Sequence, residues 1–187
     1  MKKLSLIVLL KTTLYIFIGI FIIIGNTFMQ DVIHTYINYL VGIPMLIGVL
    51  ISVVNDFKYK RYLHDENHMA SHFIALIISI LIILAHFIFK DQDIAIVCIL
   101  WGVVTIMNSS LRLNLCIHEA IKKESFIYEA IEGIVEIVLS FLLIYDPEEH
   151  INLHIYVLGI EYILEALMTL ILNVKNNVLI SNKDNEI

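Results

Sequence analysis

The chain reads as an all-α, polytopic membrane protein, six transmembrane helices arranged as three hairpins. Three observations predict this. Of 187 residues, 59% are hydrophobic and only 16% charged, against about 45–50% and about 25% in a soluble domain. The apolar residues gather into six runs close to the roughly 20 residues a helix needs to cross a hydrocarbon core of about 30 Å. The cations, finally, are concentrated on alternate connectors between runs. Together these exclude a soluble globular enzyme, a disordered chain and a nucleic-acid binder. A net charge of −6 has little to offer a phosphate backbone.

The six runs extend approximately over Leu4–Gly25, Ile33–Val54, Ala70–Phe89, Ile94–Leu111, Phe126–Tyr145 and Leu153–Asn173. The first is expected to be a retained span, because its apolar stretch exceeds that of a signal peptide and no small-residue cleavage site follows it. The third opens behind His64, His68 and His72, spaced i, i+4, i+8, which reads as a hydrated interfacial stripe. Metal binding and pH sensing are the alternatives. The fourth contains Cys98 and ends at Arg112, which places Cys116 in a charged loop and makes a disulfide between the two unexpected. The fifth and sixth are joined by an acidic turn, Asp146 to Glu149, with His150 and His154 beside it. This turn changes charge between about pH 7 and pH 4. A polar tail follows Asn173. Trp101, Tyr145 and Tyr156 read as ordinary membrane residues, the tyrosines suited to an interfacial belt. The chain is thus expected to be one transmembrane domain over 1–187, with hairpins at 4–54, 70–111 and 126–173. No catalysis, cofactor, metal or nucleic-acid partner is expected. The lipid bilayer is the expected partner, with a homo-oligomer or a membrane-protein partner open.

Orientation follows from the cations. Lys2, Lys3, Lys11, Lys58, Lys60, Arg61, Arg112, Lys122, Lys123, Lys175 and Lys183 belong to one side, and Lys90 alone to the other, a ratio of eleven to one. The short turns on the second side carry Asp31, Asp91, Asp93, Asp146, Glu148 and Glu149. Both termini are therefore expected in the cytoplasm and the three hairpin tips outside.

Small residues recur with the hairpins. The second helices align on Gly42, Gly102 and Gly159, and the first helices pair Thr12 with Gly19, His72 with Ser79 and Gly133 with Ser140 at seven-residue spacing. Seven residues is about two turns, so each pair shares a helix face. Such faces let backbones approach closely in lipid, where packing replaces the hydrophobic effect. Gly19, Gly42, Gly102, Gly133 and Gly159 are accordingly the expected packing positions.

This spacing, with Gly133, Ser140 and Pro147 in the third hairpin and the runs Leu100–Leu113 and Val157–Leu172, resembles the HdeD family of bacterial acid-resistance membrane proteins. That family is built from a repeated two-helix unit of unknown function. The resemblance extends over nearly the whole chain. It departs at the first two hairpin tips, where Asn26 and His86 stand at the proline position, and in the glutamates of the last two spans. What it implies is a multi-pass protein of a bacterial inner membrane serving acid or envelope stress.

Those glutamates are the candidate functional residues. Glu129, Glu132 and Glu136 lie at i, i+3, i+7, and Glu161 with Glu165 at i, i+4, so each set shares a stripe of its helix. A carboxylate at mid-bilayer costs roughly 2.5–3.5 kcal/mol on insertion scales, which turns these stripes toward the bundle interior. The repeat alignment sets Lys11 at the depth of Glu132, Asn108 at Glu165 and His72 at Gly133, with Arg112 one turn beyond Asn108. Lys11, His72, Asn108, Arg112 and the five glutamates are thus the expected inner polar cluster, with Glu136 and Glu165 able to meet inside the last hairpin. Three roles compete. One is structural, through interhelical bonds. Another is a proton- or cation-conducting path, the default meaning of intramembrane carboxylates. The third, an intramembrane enzyme, lacks an HExxH motif or a histidine within a turn of Glu161 and Glu165.

Overall fold

The computed structural model describes residues 6–58, 66–89, 93–121 and 127–184, and at several helix ends, Glu129 among them, the backbone alone. The described residues form six α-helices: α1 (Leu6–Phe28), α2 (Gln30–Lys58), α3 (Glu66–Phe89), α4 (Asp93–Ile121), α5 (Ile127–Ile144) and α6 (Ile151–Asp184). Five of them, all but α5, contain stretches of 20 to 25 residues long and apolar enough to cross a membrane. That makes this a multi-pass membrane protein. α5 is 18 residues long, about 27 Å at 1.5 Å per residue, and Glu129, Glu132 and Glu136 remove it from the apolar set.

Two helices outrun their apolar runs. α4 continues to Ile121, so Arg112 lies inside a helix rather than at its end. Cys116, expected in a charged loop, is on that helix and buried. α6 continues to Asp184 through what reads as a polar tail. Hydropathy marks where a helix is apolar, not where it stops. Neither Gly nor Pro interrupts 112–121 or 173–184, so nothing breaks the backbone hydrogen bonding there. The turn between α5 and α6 does have a stop: Asp146 takes φ 48°, the left-handed region that Asp tolerates, and Pro147 follows. His154, placed by its sequence beside an exposed acidic turn, is buried. Its ring nitrogens lie 2.7 Å from the His150 carbonyl and 2.9 Å from the Tyr145 carbonyl, closing the end of the turn.

The most extensive interfaces join different hairpins rather than the two arms of one: α6 with α1, the last hairpin with the first, then α4 with α5 and α2 with α3. The aligned glycines sit at these contacts. A Cβ on Gly19 would fall 2.6 Å from the Gly159 carbonyl oxygen, and one on Gly159 would fall 3.0 Å from that of Gly19. On Gly42 it would meet the Ile83 backbone nitrogen at 3.1 Å, and on Gly102 the Ser140 carbonyl at 3.1 Å. Only a residue without a side chain permits such an approach.

The two halves of the bundle differ. Toward the hairpin tips the interior is filled by fully buried Ile22, Ile33, Ile37, Ile82, Val97, Leu143, Ile155 and Leu158. At the tips themselves, Asn26 donates to the Asn152 carbonyl at 3.1 Å and His34 lies 3.2 Å from Asn152 Oδ1. The perimeter is apolar and exposed, as at Phe17, Ile77, Val138 and Phe141, the surface a bilayer would cover. The half nearer the long connectors is hollow and polar.

The glycine contacts differ in what they meet, and that difference is measurable. Gly19→Ala and Gly159→Ala push against backbone and should each destabilise by about 1–3 kcal/mol, the usual cost of overpacking. Gly133→Ala meets the Leu113 side chain at 2.9 Å, which can rotate away, and should cost less. Thermal unfolding in detergent, read with a thiol dye on the buried Cys98 and Cys116, ranks the three. Equal midpoints would mean that α1 and α6 separate freely.

Candidate functional site

The hollow half encloses a cavity of about 340 Å³. Each of the six helices contributes to its wall, from the middle of the helix or its connector end, including Lys11 and Tyr15 on α1, Gly48 on α2, His72 on α3, Trp101 to Arg112 on α4, Glu136 on α5, and Glu161 and Glu165 on α6. The chain folds this way locally because α4 presents Trp101, Thr105, Asn108, Ser109 and Arg112 at i, i+4, i+7, i+8, i+11, one stripe of a helix.

Arg112 is the centre of the polar network. Its Nη1 donates to Glu132 and, at 2.6 Å, to Glu136. Its Nη2 donates to Glu165 at 2.8 Å. One guanidinium thereby ties α4 to α5 and α6, using the planar fork that lysine lacks. Lys11 Nζ donates to the other oxygen of Glu165 at 3.3 Å and lies 5.1 Å from the Tyr15 ring centroid, which brings α1 into the same network. Ser109 donates to Glu136 at 2.6 Å.

Glu161 stands apart from the cations. It is 3% exposed, and one of its oxygens accepts from the Trp101 indole N–H and from Thr105 at 3.3 Å. Its other oxygen, Oε1, is buried and has no hydrogen-bond partner among the described residues. Trp101 in turn stacks on Tyr162 with centroids 4.5 Å apart, and Tyr15 meets Tyr162 edge-on at 5.2 Å. The Tyr162 hydroxyl donates to the Val41 carbonyl at 2.8 Å, and Tyr15 reaches the Pro44 carbonyl at 3.5 Å. These bonds fall around Pro44, which supplies no backbone N–H of its own.

Of the residues singled out from sequence, the structure brings Lys11, Arg112, Glu132, Glu136 and Glu165 into one bonded network. It places Glu161, Asn108 and His72 on the same cavity. Glu136 and Glu165 meet through Arg112, a residue of another hairpin. The Glu129 side chain, His64 and the His68 side chain lie outside the described residues. Sequence reasoning missed Trp101, taken as an ordinary membrane residue, and Tyr15, Tyr162, Thr105 and Ser109. The α4 stripe ending in Arg112 was the available signal for Trp101, Thr105 and Ser109. No such signal marks the tyrosines, whose neighbours come from other helices.

Comparison with protein-family models, curated proteins and solved structures finds no match to this chain. Function therefore has to be read from the site.

Among the described residues, four buried or half-buried carboxylates (Glu132, Glu136, Glu161, Glu165) and two cations, Lys11 and Arg112, stand in this cluster. Removing the central cation should be costly, because it leaves three carboxylates in a poorly solvated site without their partner. Breaking a buried ion pair from one side costs about 3–5 kcal/mol. Arg112→Met should therefore destabilise by at least that much, and Lys11→Met by less, since Lys11 is a third exposed and serves one carboxylate. Unfolding free energies in mixed micelles test this ordering. The reverse order would remove Arg112 from the centre of the network.

Proposed function

We propose that this chain is a multi-pass membrane protein that takes protons or a small cation into its buried carboxylate cavity and passes them across the membrane. The observation that carries this reading is the charge imbalance at the cavity wall. Among the described residues Glu136, Glu161 and Glu165 line that wall against Lys11 and Arg112, one carboxylate more than the cations neutralise, and a low-dielectric site does not hold it uncompensated. Protons or a bound cation make up the difference. Groups that change protonation or pairing within a membrane are the usual parts of relays and transporters. The packed isoleucine half on the tip side separates the cavity from the opposite surface, so passage requires the helices to rearrange, as in alternating access. The titratable groups lining the exchange site are Lys11, Tyr15, His72, Arg112, Glu136, Glu161 and Glu165.

The resemblance to the HdeD family supplies a setting for this activity: acid or envelope stress in a bacterial inner membrane, with three two-helix repeats and α5 as the sixth span. The equivalent placement of Gly42, Gly102 and Gly159 supports the repeat. The cation bias supports cytoplasmic termini, which would make the cavity face the cytoplasm.

Two measurements test these proposals. In vesicles reconstituted with purified protein and loaded with a pH-sensitive dye, the wild type should dissipate an imposed pH gradient or admit a small cation. Glu136→Gln should fold and fail to do either, while Glu148→Gln in the exposed turn should behave as wild type. If Glu136→Gln conducts normally, or if the wild type matches empty vesicles, the network is structural only. For orientation, His150→Cys in a background without Cys98 and Cys116 should react with an impermeant thiol reagent on intact cells. Labelling of Lys58→Cys instead would invert the topology.

A further inference from the structure

The cavity is larger than protons require. Its volume of about 340 Å³ is some ten times the roughly 30 Å³ that one water occupies in the liquid, and it lies in the range of small-molecule sites. Its chemistry is selective in three ways. Excess carboxylate disfavours an anion, and the guanidinium of Arg112 is already engaged by Glu132, Glu136 and Glu165. Among the described residues no three His, Cys, Asp or Glu side chains converge as a metal ion would need. The carboxylate that remains, Glu161, is almost fully buried, belongs to the cavity wall, and has in Oε1 an acceptor without a donor. A buried acceptor left unmade is costly, and what it lacks is an N–H or O–H group.

The protein itself shows how this cavity holds an alkylammonium. Lys11 brings its Nζ to the Glu165 carboxylate beside the face of Tyr15. One turn away along α6, Glu161 also has an aromatic ring at its side, Trp101, which meets it through the N–H edge and stacks one face on Tyr162, and no ammonium among the described residues reaches it. Aromatic faces attract cations most strongly where water is excluded, tryptophan above all.

We propose that the cavity binds a small organic monocation bearing N–H donors, an alkylammonium or guanidinium, with Glu161 as its counter-ion and Trp101 and Tyr15 as its aromatic wall. This rests on the cation-binding reading above and names the class of its substrate. It also gives Trp101 a role beyond packing: it holds one Glu161 oxygen by its N–H, leaving the other for the ligand.

Trp101 is the only tryptophan in the chain, so its fluorescence reports on this site alone. Purified protein in lipid nanodiscs is titrated with butylammonium chloride, against sodium chloride at equal ionic strength and against 1-butanol, the uncharged molecule of matching shape. A saturable change in Trp101 emission with butylammonium, and none with either control, is the expected result. Glu161→Gln should weaken that binding at least tenfold, whereas Glu148→Gln should leave it unchanged. An equal response to 1-butanol, no saturable response to butylammonium, or undiminished binding in a folded Glu161→Gln would each overturn the proposal. The wild-type comparison decides the matter even where Glu161→Gln does not fold. The parent reading is tested separately by the vesicle experiment: proton flux lost in Glu136→Gln with no butylammonium binding would leave proton handling standing and remove the organic cation.

Discussion

The arrangement of this bundle depends on one guanidinium. Arg112 lies within α4 and donates to Glu132 and Glu136 on α5 and to Glu165 on α6, with Lys11 of α1 bonded to Glu165 in turn. In lipid the hydrophobic effect does not hold helices together, and a glutamate facing the acyl chains would be expensive. Gathering the carboxylates around a fork of fixed geometry answers both constraints. It turns the charged stripes of α5 and α6 inward and fixes their rotation about their axes. It also explains how α5, too charged to qualify as a span by composition, holds its place against α4.

The same clamp divides the molecule. On the tip side the helices close over isoleucine, leucine and valine, and at Gly19, Gly42, Gly102 and Gly159 backbones pass within reach of each other's atoms. On the connector side the clamp cannot be packed so tightly. Charged groups need room and hydrogen-bond partners, and the helices stand apart around a cavity. Dispersion holds one half, while directed polar bonds hold the other. A protein built this way is stiff in one half and adaptable in the other, the asymmetry that the proposed exchange with one side of a membrane requires.

Within the polar half the division of labour is chemical. Glu132, Glu136 and Glu165 are bonded to Arg112 and tie α5 and α6 to α4. Glu161 is held by neutral donors, Trp101 and Thr105, with no cation bonded to it among the described residues. A carboxylate paired with arginine is a poor receptor, because a ligand must displace its partner. One held by an indole N–H and a hydroxyl is oriented but free to bind. The aromatic cluster of Tyr15, Trp101 and Tyr162, anchored to α2 around Pro44, keeps that carboxylate in register.

By itself the sequence determined the class: six helices, their approximate places and the membrane as solvent, because hydropathy and helix length are local properties summed over short windows. It also determined that the glutamates face inward, since the cost of the alternative is known, and which glycines line helix contacts, since their spacing repeats. It did not show where α4 and α6 end, because a helix outlasts its apolar stretch wherever no residue breaks it. Nor did it show that the closest helix pairs join different hairpins, or that Arg112 rather than Lys11 is the shared cation. Only the tertiary structure decided which carboxylate has no charge partner among the described residues. Glu136, Glu161 and Glu165 are alike in sequence, each a glutamate in an apolar helix. What separates them is which side chains of other helices arrive within 3 Å or so, and that is set by packing across the bundle.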